Sequence, residues 1–260
     1  MTKIATHNKI FHADEVTAIA LLEVFTEEEY IVQRVDHDTT NFADFDMVID
    51  IGKKYDGEKY FDHHQYKGGK SSAGLIWSYL EVEEDYPKIS KFIKQIDDHD
   101  TGVQKAKEFE YSNLISCYNS DDINDPQKQD EQFKKAVEFA KTVLDSFATM
   151  EENLQEAKSI VARSYTFDNN RAILELETFT PHWTTYINGM LTPHIKAVVW
   201  EDEAEKNWKV KIPAKKLGSY ELVTKPLEDD GTMEFVHSSG FYAIAKDEET
   251  MKKFLAKQIR

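Results

Sequence analysis

Lys3-Ile4-Ala5-Thr6-His7-Asn8-Lys9-Ile10-Phe11-His12-Ala13-Asp14-Glu15, continued to Phe25, is the stretch from which the fold is read. Lys3 to Thr6 has the character of a short strand. Asp14 to Phe25 carries Val16, Ile19, Ala20, Leu22 and Phe25 at roughly helical spacing, with acids in the first turn, where the helix dipole favours them. A strand running through a short turn into a helix predicts a βαβ unit and a parallel sheet. Two imidazoles, His7 and His12, and the Asp14 carboxylate fall in and beside that turn, where they can wrap one point.

The same alternation continues outward. Tyr30 to Val35 predicts a second strand, Met47 to Gly52 a third and Lys59 to Phe61 a brief fourth. Ser71 opens a helix through Leu80, and Ile89 to Ile96 predicts another. From Gln129 to Ser164 apolar residues repeat at three- and four-residue spacing without Gly or Pro. That predicts one helix about 50 Å long, or two stacked pieces with a break near Met150. Strand patterns follow at Arg171–Leu176, His194–Trp200, Trp208–Ile212, Phe235–Val236 and Phe241–Ile244. The expected class is α/β: an N-terminal parallel sheet flanked by helices over 1–125, a connecting helix over 126–165, and a smaller C-terminal α+β domain over 166–260.

Bulk properties narrow the chemistry. The 260 residues can bury a substantial core without disulfides. Cys117 is the only cysteine, which excludes an intrachain disulfide and makes a reducing, cytoplasmic compartment the expectation. No apolar run approaches the roughly 20 residues that cross a bilayer, and the N-terminal residues show no signal-peptide core. Lys and Arg number 32 against 48 Asp and Glu, for a net charge of -16. A protein that coats long duplex DNA needs a basic stripe, so that class is excluded. Short oligonucleotides and small phosphoesters are not, because bound cations dominate their local field whatever the global charge.

Six of the nine histidines, at positions 7, 12, 37, 63, 64 and 99, lie in the first hundred residues, most beside acids. Four clusters fall at or just beyond the ends of expected elements, mostly strand ends, where α/β sheets place ligands. They are His7 to Glu15; Asp50, closing an apolar strand; Asp62-His63-His64-Gln65; and Asp97-Asp98-His99-Asp100. Each alone has a plainer explanation: a satisfied polar residue, a helix-terminal acid, a solvated helix end. Their coincidence favours a metal site. Imidazole and carboxylate without thiolate suit Mn, Zn, Fe or Co and disfavour Mg or Ca as sole occupant. His37, between Asp36 and Asp38, is kept outside the set, and His182 and His194 are read as structural.

These clusters resemble the DHH phosphoesterase superfamily, and within it the Myg family (melanocyte proliferating gene one) of metal-dependent hydrolases. The resemblance rests on Thr6-His7-Asn8 with Phe11-His12-Ala13-Asp14-Glu15, Val48-Ile49-Asp50-Ile51-Gly52, Phe61-Asp62-His63-His64-Gln65, Ser71-Ser72-Ala73-Gly74-Leu75, and Phe235-Val236-His237-Ser238-Ser239-Gly240-Phe241. It implies a DHH-type catalytic domain with two divalent ions of Mn type, Zn and Fe being the alternatives. His7, His12 and Asp50 would hold one ion. Asp14, Asp50, His63 and Asp100 would hold the other, with Asp97 the second choice for the last position. His64 would face the substrate phosphate and Asp62 would orient an imidazole. His237, Ser238, Ser239 and Gly240 would bind substrate from the second domain. Ser71 and Ser72 could bind phosphate at a helix N-terminus, although capping is the commoner use.

The implied activity is 3′-to-5′ exonuclease cleavage of RNA or short oligonucleotides. A phosphatase or small-nucleotide phosphodiesterase on the same metals, or a metal-binding protein without turnover, are the alternatives. Two departures stand out. Lys9 replaces the family's usual glycine, and Lys225 to Gly231 lacks its Arg- and Trp-bearing run.

Overall fold

The structure is a computed structural model and describes residues 1–259. The chain divides into two compact units, Met1–Glu151 and Glu152–Arg260. In the first, β1 (Thr2–His7) leads through α1 (Ala13–Phe25) to β2 (Tyr30–Val35), followed by β3 (Met47–Ile49) and β4 (Tyr60–Phe61). Three helices come next, α2 (Ser72–Tyr79), α3 (Pro87–Asp100) and α4 (Tyr111–Ser116), and then α5 (Pro126–Ala162), which enters the second unit.

The four strands form one parallel sheet in the order β2-β1-β3-β4. Chain direction across the sheet therefore reverses between β1 and β3, and the crevice outside their carboxyl ends is where such sheets bind ligands. His7, Asp50 and Asp62 all leave the sheet on that edge. The pairing of His7 with Val35 brings the segment after β2 to the same end.

Every residue of α1 from Ala13 to Leu22 is buried. This is a helix enclosed all round, covered by α2 on one side, not the one-faced helix that its apolar spacing alone would require. Its own Ile19 and Leu21 are almost fully enclosed, as are Ile4, Phe61 and Trp77 in the same core. Each such side chain contributes roughly 1.5–3 kcal/mol of burial. The third strand is shorter than its apolar run. Asp50 still donates its N–H to Phe61 O at 3.1 Å, but its φ of +58° turns it out of the ladder. Helix α5 runs unbroken through Met150, with Phe133, Ala136, Val137, Ala140 and Leu144 buried in the first unit.

The second unit holds β5 (Tyr165–Thr166), β6 (Ile173–Glu175), β7 (Ala197–Asp202), β8 (Asn207–Lys211), β9 (Phe235–Val236), β10 (Tyr242–Ala245) and α6 (Glu248–Gln258). Its mixed sheet has the order β5-β6-β7-β8-β10-β9. Helix α6 buries Met251, Phe254 and Leu255 in one core with Val199 and Val210; Trp183, Ile187, Val198 and Trp200 form another. Among the described residues no helix is long and apolar enough to cross a membrane.

Candidate metal centre

The turn after β1 is tied down before any metal is considered. Lys9 adopts a φ of +62°, the left-handed region that disfavours side chains. Its carbonyl accepts from Arg34 Nη2 and from Gln129 Nε2, both at 2.6 Å. Phe11 is clamped by Asn119, which accepts from its N–H at 3.0 Å and donates to its carbonyl at 2.9 Å. Glu15, fully buried, accepts the His12 N–H at 2.9 and 3.0 Å and so closes the first turn of α1.

That bracing fixes His7. Its Nδ1–H donates to the Asn8 carbonyl at 3.0 Å, so Nε2 is the atom presented to Glu15 Oε1 at 3.1 Å and Asp50 Oδ2 at 3.2 Å. The Asp50 carboxylate has a second face. Its Oδ1 lies 3.4 Å from His63 Nε2 and accepts the Ser72 hydroxyl at 2.8 Å. His63 Nε2 in turn stands 3.0 Å from Asp100 Oδ2 and 3.6 Å from Asp14 Oδ2. One imidazole nitrogen is thus faced by three carboxylates, while Asp50 turns one oxygen to each of two histidines.

The electrostatics follow from that crowding. Burial works against a charge on His7, but its hydrogen bonds to Asp50 and Glu15 outweigh it and push its pKa up to about 11. Burial also opposes a charge on His63, but the nearby Asp100 and Asp50 carboxylates outweigh it and raise its pKa to about 10. Asp14 is held well above the ordinary carboxylate range by burial and by Asp50 and Asp100. Asp50 goes the other way: the imidazoles of His63 and His7 outweigh its burial and depress it. Without a cation, protons take that place.

The donor set fits a metal. Asp14 Oδ1 and His63 Nε2 are buried and find no hydrogen-bond partner, an expensive condition unless a cation meets them. Three groups place candidate ligand atoms within 4.8 Å of one another: His7, His12, Glu15 and Asp50; Asp50, His63 and His64; Asp14, His63 and Asp100.

Of the residues expected from sequence, the structure gathers His7, His12, Asp14, Asp50, His63, His64 and Asp100. Asp62 accepts His64 Nδ1 at 2.8 Å, the orienting contact that metal-site imidazoles use. Asp97 stands apart. Its Oδ1 accepts the Ser71 N–H at 2.8 Å and the Ser71 hydroxyl at 2.7 Å at the start of α2, and burial raises its pKa to about 6. Both serine hydroxyls are therefore buried and already donating to carboxylates, Ser71 to Asp97 and Ser72 to Asp50.

His237, Ser238, Ser239 and Gly240 lie in the second unit. Gly240, at φ +64°, is required there: a Cβ would meet Pro226 Cβ at 2.5 Å and Leu227 O at 2.7 Å. Glu15 and His37 are the residues that sequence reasoning passed over. His37 stacks on His7 with ring centroids 4.6 Å apart and lines a cavity of about 300 Å³ with Asp50, Lys53 and His64. The signal for Glu15 was its position three residues after the His12 cap; its capping role hid its second contact.

Known proteins share this chain's pattern. The MYG1_exonuc family model, described as "Uncharacterised protein family (UPF0160)", matches residues 3–259. A MYG1 protein of Chlamydia muridarum is 35% identical over 150 residues, 53% of this chain and 50% of that protein. A MYG1 protein of Saccharomyces cerevisiae is 25% identical over 321 residues, 96% of this chain and 93% of that protein. The MYG1 exonuclease of Bos taurus is 28% identical over 306 residues, 92% of this chain and 80% of that protein. Against the chlamydial relative, the match spans half of the relative's length.

Proposed function

The chain belongs to the MYG1_exonuc family, and on that premise we propose that it is a metal-dependent phosphoester hydrolase, a 3′-to-5′ exonuclease acting on RNA or short oligonucleotides. The observation that supports this best is the convergence of Asp14, Asp50 and Asp100 on His63 Nε2, with the second oxygen of Asp50 on His7. His7, His12 and Asp50, joined by Glu15, would hold one divalent ion. Asp14, Asp50, His63 and Asp100 would hold another. Bound Mn, with Zn or Fe as alternatives, supplies an acidified water and neutralises charge at phosphorus.

The chain's own side chains do the positioning. Asp62 fixes the His64 ring through Nδ1, which leaves Nε2 to bind a phosphate oxygen from the neighbouring cavity. Lys53, at the same cavity, adds a positive charge, and its N–H donates to Asp62 at 2.6 Å. Residues 166–260, with His237, Ser238, Ser239 and Gly240, serve as the substrate-binding domain in this reading. The name MYG1 exonuclease carried by the bovine relative supports a nuclease. The net charge of -16 supports short substrates, and keeps a small-nucleotide phosphodiesterase or phosphatase as the second reading. The lone Cys117 supports a reducing, cytoplasmic home.

The test is hydrolysis of a 5′-labelled short RNA by metal-stripped protein with and without Mn, beside Asp50→Asn. A Mn-dependent ladder absent in the variant supports the nuclease. Cleavage of a small phosphoester alone promotes the second reading, and silence on both leaves a metal-binding protein.

A further inference from the structure

Strand β2 is the outer strand of the first unit's sheet and pairs on one side only, with β1. The Glu29 and Val35 carbonyls face β1, accepting from the Thr2 and Asn8 N–H groups, each at 2.8 Å. Alternation along the strand therefore turns Tyr30, Val32 and Arg34 the other way. Among the described residues, the backbone N–H and C=O groups of these three have no hydrogen-bond partner. Such an edge pairs readily with another chain, and natural sheets blunt it with lysine, proline or a bulge. Tyr30 to Val35 carries none of these, and its one charge, on Arg34, is folded inward onto the His7 and Lys9 carbonyls.

The open edge borders a groove. A cavity of about 450 Å³ is lined by Tyr30, Val32 and Arg34 from β2 and by Phe133 and Val137 from α5. Its surroundings are acidic. Glu23, Asp130 and Glu138 line it, Glu27, Glu28 and Glu29 precede the strand, and Asp36 and Asp38 follow it, all of the latter five exposed. Against these stand Lys134, Lys141, which is shared between Glu23 and Glu138, and Arg34, which is already paired with Asp130 at 3.2 Å.

We propose that this edge and groove dock an extended peptide of another protein, one that alternates apolar and basic residues and adds a strand to β2. The backbone groups of Tyr30, Val32 and Arg34 supply the hydrogen bonds, and alternate side chains of the peptide enter the groove, the division between affinity and specificity that strand addition uses. Charge selects the occupant, since the excess of carboxylates favours a basic strand. A second copy of this chain fits poorly. The antiparallel registers that pair most of β2 with itself set Glu28 of one copy against Asp36 or Asp38 of the other, and like charges directly opposite destabilise a sheet. The inference stands on the sheet edge and does not depend on the hydrolase reading.

The test is an anisotropy titration of the full chain with a short fluorescent peptide alternating Lys and Val, expected to saturate at one peptide per chain. The same peptide N-methylated at every amide keeps its charge but cannot join the ladder, and should bind at least about tenfold more weakly. With Glu in place of Lys it should not bind. Glu28→Lys combined with Glu29→Lys should weaken the Lys-Val peptide about tenfold. Val32→Pro, which removes one outward N–H and leaves the β1 ladder intact, should do the same. Saturating peptide should slow amide hydrogen exchange at Tyr30, Val32 and Arg34. The peptide controls use the unaltered chain, so they decide the matter even if Val32→Pro does not fold. The proposal is overturned if the Lys-Val peptide does not bind, if its N-methylated form binds as tightly, or if exchange at the three amides is unchanged. A dimer in sedimentation that Val32→Pro abolishes would overturn it in favour of a second copy.

Discussion

The side-chain amide of Gln129, near the start of α5, donates to the backbone carbonyl of Lys9 at 2.6 Å across 120 positions of sequence. Arg34 donates to the same carbonyl and, at 3.3 Å, to that of His7. A strained, non-glycine turn is thus held in place by two side chains from elsewhere in the first unit. Lys9→Gly removes a left-handed cost of about 1–2 kcal/mol, partly offset by about 0.5–1 kcal/mol of glycine entropy. Urea unfolding should therefore show a small gain in stability with metal content unchanged. Gln129→Ala strips a partner from the Ser120 N–H as well, and should cost about 1–3 kcal/mol. It should also weaken metal binding, since the turn carries His7 and His12. A Gln129→Ala protein with wild-type stability would remove the bracing role.

Asp50 and Asp97 are both buried acids bonded to serines at the start of α2, yet the geometry gives them different work. Asp50→Asn keeps an acceptor for Ser72 but loses the charge between His7 and His63. Elemental analysis should find it depleted of metal, and it should be inactive. Asp97→Asn keeps an acceptor for the Ser71 N–H and should retain metal. Glu15→Gln is expected to lose about half the metal, since it touches only the His7 group. Metal loss in Asp97→Asn, or full loading of Asp50→Asn, would reverse the assignment.

Gly74 owes its place to that same carboxylate. A Cβ there would overlap the Asp97 carboxyl group, which is buried and bonded to Ser71. Alanine is the better helix former by about 1 kcal/mol, but overpacking costs about 1–3 kcal/mol. Gly74→Ala should therefore destabilise, by up to about 2 kcal/mol, and shift α2 so that Ser72 leaves Asp50. Thermal melting of the single variant and of Gly74→Ala with Asp97→Ser checks this. A gain in stability from the alanine alone would show that the close approach is not what selects glycine.

The parallel sheet and most residues of the candidate site are legible in sequence because both depend on local pattern. Short apolar runs alternate with helical spacing, and the His and Asp residues sit where those runs stop, so the pattern places β1 and β2 within a residue or two and puts Asp62-His63-His64 just after β4. What escaped depends on contacts distant in sequence or on roles that compete. Asp97 reads like Asp100 in the sequence, and only the packing of α3 on α2 assigns one to Ser71 and the other to His63. Lysine itself gives no sign of the left-handed turn at position 9, where only the family's usual glycine points to it; Arg34 and Gln129, distant in sequence, hold it there. Helix α6 had its signals in plain view: Asp247 accepts the Thr250 N–H, acids follow it, and Met251, Phe254 and Leu255 repeat on one face. Its 11 residues simply made a weak pattern beside the strands around it.

The histidines make stability depend on pH in opposite directions with and without metal. In the metal-free fold His7 and His63 keep protons to about pH 11 and 10, whereas the unfolded chain releases them near the ordinary 6.5. Between those values the folded state binds more protons, so stability falls as pH rises. The contribution is complete below about pH 6.5 and lost on passing through 10 to 11. A cation requires the neutral imidazoles, so its binding releases protons and strengthens with pH. Melting temperatures in EDTA should accordingly decline from pH 7 to pH 10, while those in excess Mn should hold or rise. Adding Mn to the stripped protein at pH 7 should acidify a weakly buffered solution by at least about two protons per chain, from His7 and His63, with Asp14, whose carboxyl pKa burial also pushes up, adding to that release. Superimposable melting curves with and without Mn, and no acidification, would mean that the cluster holds protons and nothing else.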